Sequence, residues 1–383
     1  MTQIQLKKIE QLLSGLDPQI AEILERSLSD KILSQEDAIQ LMGVKNLELS
    51  ALTLTADFIR KIKVGDIVTY VINRNINFTN ICIKNCQFCA FSKNAGNPEA
   101  YNLSINEILK RAKEAWKIGA TELCIQGGIN PNVDAYYYEK IIKSIKQELP
   151  DIHIHGFSPQ EIYDGGKKIG LSIKDTLILL KDAGLDSIPG TASEILNDKI
   201  REIICPNKID VNTWIKVIKT AHKLKIPTTC TILYGHIETI EHRVKHLEIL
   251  RQIQKETSGF TEFVPLTFIP WNTTLFQNMK LLNDSKFNEP TGIEDIRMYA
   301  VSRLFLYNFD NIQVSWVKLG EKFAQSALNL GANDFGGTLM EENISKSAGA
   351  THGEYISPER IKKIILDIGR IPVQRNTIYE LIQ

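Results

Sequence analysis

From residue 66 onward the chain repeats one pattern: a short β-rich run, a loop, then an amphipathic helix. "YVINRNINFTN" precedes the helix "LSINEILKRAKEAWKIGA", which opens on a Ser104–Glu107 capping box and stops at Gly119. "TELCIQGG" leads to "DAYYYEKIIKSIKQEL", "DIHIHGFS" to "SIKDTLILLKDAGL", and "DSIPGT" to "VNTWIKVIKTAHKLKI". "PTTCTILYG" leads to "IEHRVKHLEILRQIQKET", and "FTEFVPLTFIP" precedes the stretch through "GIEDIRMYAVSRLFLYN". "NIQVSW" precedes "LGEKFAQSALNLGA", and "NDFGG" reads as a last short strand. Strands alternating with helices of this length require a parallel sheet with right-handed crossovers. About eight such units predict an α/β protein built as a closed (β/α)8 TIM-type barrel of roughly 250 residues, with a doubly wound open sheet as the alternative.

Residues 1–65 read as helices, one of them capped by Ser34 with Asp37 in its first turn and Gly43 after its end. They are expected to pack on a barrel spanning 66–340. Residues 341–383, including "SPERIKKIILDIGRIPVQRNTIYELI", are expected to form a helical extension on the same body.

Charge excludes some partners. Lys+Arg and Asp+Glu both number 45, so no net field favours nucleic acid or an anionic membrane surface. The start, "MTQIQLKKIEQLL", lacks the continuous apolar segment of a signal peptide, and no run approaches a membrane span of about 18 apolar residues. The expected location is the cytoplasm. The chain has six cysteines, and in a reducing compartment clustered cysteines bind metal or do redox chemistry more often than they cross-link.

Three of those six, Cys82, Cys86 and Cys89, crowd into "NICIKNCQFCAF". They follow the first predicted strand, at the end of a barrel where active sites are built. A structural zinc site needs four protein ligands, and no fourth lies nearby; His153 and His155 come about seventy residues later. Three thiolates on a [4Fe-4S] cluster would leave one iron open to chelate a small molecule and deliver an electron to it. A non-catalytic zinc or iron–sulfur protein is the bland alternative. Cys124 and Cys230 sit inside apolar strand patterns and, with Cys205, read as structural.

Polar residues gather at other strand ends. Ser158 and Glu161 follow the third strand, and Tyr234, His236 and Glu238 close the fifth. Trp271 and Asn272 follow the sixth and are candidates for lining a pocket for an aromatic ring.

C-x3-C-x2-C with an aromatic residue, Phe88, just before the third cysteine resembles the signature of radical S-adenosylmethionine enzymes. The resemblance implies a [4Fe-4S] cluster on Cys82, Cys86 and Cys89, and S-adenosylmethionine as cofactor. It also implies that Gly127 and Gly128 admit the cofactor's methionine moiety and that Glu194, in "GTASEIL", holds its ammonium or ribose hydroxyls.

"RNINFTNICIKNCQFCAF", "ICPNK", "YGHIET" and "FTEFVPL" are similar to a small group within that superfamily. The group comprises the tyrosine-using deazaflavin-precursor synthases and two enzyme types of the futalosine route to menaquinone, aminofutalosine synthase among them. The tail "GANDFGGTLMEENISKSAGATHGE", followed by "GRIPVQRNTIYE", looks most like the tyrosine-using branch. That likeness implies cleavage of the tyrosine Cα–Cβ bond and addition of the 4-hydroxybenzyl fragment to 5-amino-6-(D-ribitylamino)uracil, toward coenzyme F-420. It implies an electron donor and, because the chain has one triad and one barrel's length, a separate CofG-like second radical subunit. "FIPWNTTL" departs from the branch's more polar stretch around Asn272.

Overall fold

The computed structural model describes residues 2–281 and 290–382. Its strands are β1 Ile67–Val71, β2 Asn73–Asn77, β3 Glu122–Gln126, β4 His153–Gly156, β5 Thr228–Tyr234, β6 Phe260–Thr267, β7 Asp334–Gly337, β8 Ile371–Arg375 and β9 Leu381–Ile382.

β1 to β7 and two short bridging segments, at residues 187–188 and 312–313, make a closed parallel ring. β2 pairs with β3 over its whole length, and β3 pairs with β4. His155 then bridges to Ser187, and Ile188 bridges to Thr228 at the start of β5. β5 pairs with β6; Phe263 bridges to Ile312, and Gln313 to Asp334 of β7. β7 returns to β1, and the Asn75 amide donates to the Leu339 carbonyl at 2.7 Å, which seals the seam. β1 and β2 are one run broken at Ile72, so the ring has eight staves. The chain is a (β/α)8 barrel, as the alternation predicts.

Two expected strands shrink to bridges. "DSIPGT" pairs only at Ser187 and Ile188, because Pro189 has no N–H to donate. Gly190 beyond it passes so near β5 that a Cβ there would meet the Thr229 carbonyl oxygen at 1.9 Å. "NIQVSW" likewise pairs only at Ile312 and Gln313.

The surrounding helices bury one face each. Helix Ala135–Glu148 buries Ala135, Tyr138, Ile141, Ile142 and Ile145, the i, i+3, i+4 stripe of a helix lying on a sheet. The capping boxes at Ser34–Asp37 and Ser104–Glu107 are formed. The N-terminal helices join the shell: Arg251 donates to the Leu33 carbonyl at 2.8 Å, and Arg297 to that of Val44 at 2.8 Å.

The C-terminal extension corrects an expectation, being helical only in part. After helices Asn343–Ala348 and Pro358–Asp367 the chain turns into β8, which adds in parallel to the lower edge of β1, and β9 folds back on β8. The extended, β-branched "IPVQR" completes an edge that a helix could not. Side chains from this segment enter the base of the barrel. Arg375 bonds to Asp334 and pairs with Glu262 at 3.3 Å, Tyr379 donates to Glu262, and Thr377 donates to Glu122 at 2.6 Å. The base is therefore sealed by charge-assisted hydrogen bonds, which leaves the opposite mouth as the entrance.

Candidate active site

The cysteines lie in the long connection between β2 and helix Ile105–Lys117, over the mouth. The loop is held from several directions. The Cys82 amide donates to the Lys93 carbonyl at 3.0 Å, that of Ile83 to Ile129 at 3.0 Å, and that of Gln87 to Ile204 at 2.8 Å. Cys89 closes a turn onto the Cys86 carbonyl at 3.1 Å. Asn85 takes the left-handed conformation between the first two cysteines, with φ 51°.

The glycines at the end of β3 serve this loop directly. A Cβ on Gly128 would lie 2.3 Å from the Ile81 carbonyl oxygen and 2.9 Å from Cys82 Cβ. A Cβ on Gly127 would lie 2.7 Å from the Phe78 ring. The missing side chains make room for the cysteine loop itself.

Below the loop is a cavity of about 390 Å³ walled by Cys82, Cys86, Cys89, Phe88, Gly127, Gly128, Ser158, Glu161 and Glu194. Of the candidate site residues expected from sequence, these are the ones that the fold brings together. Glu194 is buried on the wall with a left-handed backbone, φ 38°. Its carboxylate accepts from Lys208 Nζ at 2.6 Å and from Arg201 Nη1 at 3.4 Å. Burial works against charge on Lys208, but Glu194 and the nearby Cys86 and Cys205 outweigh it and hold the ammonium above its usual value. The same ammonium lies 5.6 Å from the Phe88 ring centre, a cation–π distance. Lys208 belongs to "ICPNK", a segment that the sequence marks as shared while giving no reason to single out its lysine. Its docking on the cysteine loop explains the segment.

Ser158 and Glu161 reach the cavity in a role different from the expected one. They form the capping box of helix Pro159–Lys168, and Glu161 Oε1 also accepts from the Gly127 amide at 2.9 Å. Burial pushes the Glu161 carboxyl up to about 7, against the bonds from Ser158 and Gly127 that favour its charged form. Its hydrogen bonds are spent on fixing the end of β3.

Four expected substrate contacts do not reach this cavity. Along β5, Thr231 and Leu233 face inward, so period-2 alternation turns Tyr234 outward, where its hydroxyl bonds to Asp295 at 2.6 Å. His236 folds onto its own turn, accepting from the Ile237 amide at 2.8 Å. Glu238 accepts from the His236 amide at 2.9 Å and from Arg243 at 2.7 Å. Asn272 donates to the Ser347 carbonyl at 3.0 Å and clips the segment containing helix Asn343–Ala348 in place; its neighbour Trp271 is half exposed and packs edge-on against Phe276. His236 and Glu238 are satisfied locally, by the turn chemistry that polar strand-end residues commonly provide, whereas Tyr234 and Asn272 are satisfied by partners distant in sequence.

The remaining cysteines divide. Cys230 is wholly buried in β5 away from the cavity, whereas Cys124 lines it, its sulfur accepting weakly from Gln126 at 3.4 Å. Cys205 is buried beside Lys208.

The donor set fits an iron–sulfur cluster. Cys82, Cys86 and Cys89 are free thiols on one wall, and they are the residue type that such clusters require. Burial pushes the Cys86 and Cys89 thiols up, so that bare thiolates there need a cationic partner; Lys208 supplies part of it. The buried carboxamide oxygens of Asn75 and Asn77, also wall residues, have no partner among the described residues and are acceptors for donors on a bound molecule.

Comparison with known proteins agrees with this geometry. The radical SAM superfamily matches residues 76–250, and the CofH/MqnC C-terminal region matches residues 257–383. A 5-amino-6-(D-ribitylamino)uracil–L-tyrosine 4-hydroxyphenyl transferase from Methanothermobacter thermautotrophicus is 50% identical over 363 residues, covering 94% of this chain and 97% of that protein. The protein of the same name from Methanocaldococcus jannaschii is 51% identical over 358 residues, covering 92% and 98%. Among solved structures, the hydrogenase maturase HydG from Carboxydothermus hydrogenoformans superposes with a TM-score of 0.76 at 16% identity, covering 99% of this chain and 84% of that one. Methylornithine synthase PylB gives 0.70 at 18% identity, covering 91% and 97%. Those two likenesses speak for the fold alone.

Proposed function

Since the chain belongs to the radical SAM superfamily and, within it, to the family of 5-amino-6-(D-ribitylamino)uracil–L-tyrosine 4-hydroxyphenyl transferases, we propose that it catalyses that transfer. It cleaves the Cα–Cβ bond of L-tyrosine and joins the 4-hydroxybenzyl fragment to the diaminouracil, a step in deazaflavin coenzyme biosynthesis. The observation that carries the reading is half-identity along nearly the whole chain to relatives of that name, with three cysteines poised over a sealed barrel.

Membership implies a [4Fe-4S] cluster and S-adenosylmethionine. When bound, the cluster supplies the electron that cleaves S-adenosylmethionine and so starts radical chemistry on the substrate. In our reading Cys82, Cys86 and Cys89 would be the residues that hold the cluster. Lys208 stabilises the thiolate of Cys86, and its pair with Glu194 presents a carboxylate edge to the cofactor. Phe88 covers the lysine, while Glu161 and Gly127 keep the end of β3 against the loop. The walls of the barrel and its plugged base exclude water and stray hydrogen donors, and they hold two substrates in near contact.

We also assign the barrel to residues 66–340, with 1–65 and 341–383 packed on it. A separate CofG-like subunit acts on the product, and a reductant feeds the cluster. No helix among the described residues is long and apolar enough to cross a membrane; an oxygen-sensitive cluster suits the reducing cytoplasm.

One observation favours a second reading. The matched C-terminal region is shared in name with MqnC, so this region by itself does not separate the tyrosine branch from the futalosine branch. Anaerobic reconstitution with iron and sulfide, then incubation with S-adenosylmethionine, reductant, tyrosine and the diaminouracil, separates them by mass spectrometry. The expected products are the 4-hydroxybenzyl adduct, 5′-deoxyadenosine and glyoxylate. Turnover of an enolpyruvyl-benzoate in place of tyrosine would overturn the assignment.

A further inference from the structure

Three lysines line the cavity, and two already have counterions. Lys84 pairs with Asp164 at 2.9 Å, and Lys208 with Glu194 at 2.6 Å. The third, Lys318, lies just beyond the Ile312–Gln313 bridge; among the described residues its ammonium meets no hydrogen-bond or ion-pair partner. Lys318 is half-buried in that wall, and an ammonium partly withdrawn from water without a paired counterion is costly.

The charge that Lys318 does feel is Glu342, another wall residue, which follows β7. Both Glu342 oxygens accept from the Ser345 amide, at 3.1 and 2.9 Å, which fixes the carboxylate as the N-cap of helix Asn343–Ala348. Burial pulls Lys318 down and pushes Glu342 up, and the field of each only partly offsets this for the other. A cation and an anion thus share one wall, close enough to influence each other and too far apart to pair directly. That arrangement matches a molecule carrying one negative and one positive group on a single carbon.

The geometry points to Lys318 and Glu342 as the receptor for the α-carboxylate and α-amine of the amino acid substrate. The assignment rests on the transferase reading, in which tyrosine is the substrate that supplies both groups; the diaminouracil is neutral and offers no anion. The phenol end would then extend along the apolar part of the wall, where Leu233 and Phe268 lie. Lys318 is a binding residue in this proposal, and Glu342 orients the amine.

The test compares L-tyrosine with tyramine, which lacks the carboxylate, on anaerobic cluster-loaded protein by isothermal titration calorimetry, alongside product formation. Wild-type protein should prefer tyrosine over tyramine by tenfold or more, the scale of one charge-assisted hydrogen bond. Lys318→Met should erase that preference by weakening tyrosine alone, leave the KM for S-adenosylmethionine and the diaminouracil within about twofold, and keep iron content unchanged. Lys318→Arg should restore part of the preference. If Lys318→Met retains the preference, or raises the KM for S-adenosylmethionine instead, the inference is wrong while the transferase reading stands. If wild type binds tyrosine with the stated preference and Lys318→Met loses it, yet no adduct forms, the receptor stands and the transferase reading falls. If wild type binds no tyrosine, both fall.

Discussion

Replacing Gly128 with alanine isolates what the paired glycines are for. The new Cβ would stand 2.3 Å from the Ile81 carbonyl oxygen, 2.8 Å from its carbon and 2.9 Å from Cys82 Cβ. Ordinary contact begins at 3.4 Å, so the cysteine loop must retreat by about 1 Å. It cannot do so freely. Gly128 itself donates to the Thr79 carbonyl at 2.8 Å, and the adjoining Cys82 and Ile83 amides are bonded to Lys93 and Ile129. Overpacking of this kind costs about 1–3 kcal/mol, which a protein of this size survives. The cluster is less tolerant, because metal–ligand distances hold to within about 0.2 Å. Gly128→Ala should therefore fold but take up less than about half the iron and sulfide of wild type under identical anaerobic reconstitution, with a matching loss of the cluster's visible absorption. Gly96→Ala, whose Cβ meets nothing within 4 Å, is the control and should load fully. Full loading of Gly128→Ala with only a raised KM for S-adenosylmethionine would refute the packing argument and return the glycine to the cofactor.

Alanine at Cys82, Cys86 or Cys89 should abolish 5′-deoxyadenosine formation and cluster absorption, whereas serine at Cys205 or Cys230 should leave iron content unchanged, as iron and sulfide analysis would show. Glu194→Gln deprives buried Lys208 of its 2.6 Å counterion; the KM for S-adenosylmethionine should rise about tenfold or more, with the cluster spectrum preserved. Glu161 carries a pH signature. Its folded-state value, about 7, lies above the ordinary carboxylate value, so its contribution is fully present below about pH 4.5 and lost as pH rises through 7. Denaturant unfolding of wild type against Glu161→Gln should show that difference growing by up to about 3 kcal/mol between pH 5 and 8, and a flat difference would mean that the carboxyl is ionised throughout.

How far the chain could be read before folding depended on whether a residue's role is local or distant. The caps at Ser34 and Ser104 are defined within a few residues and were legible, as was the placing of Cys82, Cys86 and Cys89 together at the mouth. The barrel followed from alternation, although Pro189 and the close approach of Gly190 to β5 cut one stave to a bridge. Tyr234 stands one position from a wall place: side chains alternate along the strand, and Leu233 holds the inward one. Ser158 and Glu161 spell a capping box as clearly as Ser104 and Glu107 do, which could have warned that their bonds were already committed. Lys318 and Glu342 left no signal, because what sets them apart is the absence of a direct bond between groups that only the closed ring brings onto one wall.

The seal at the base has a consequence for how the protein is made. β1 gains its lower partner from Ile371–Gln374, about 300 residues further along the chain. Until that stretch leaves the ribosome, the carboxylates of Asp334 and Glu262 face each other at the base without Arg375 between them. Contacts of such sequence separation form late and slowly. The nascent barrel therefore waits, unsealed, and an interrupted synthesis yields a molecule whose cysteines are complete but whose floor is open to water. Containment of radical chemistry thus depends on the last-paired strand, Ile371–Arg375, as much as on the cysteines at the other end of the barrel.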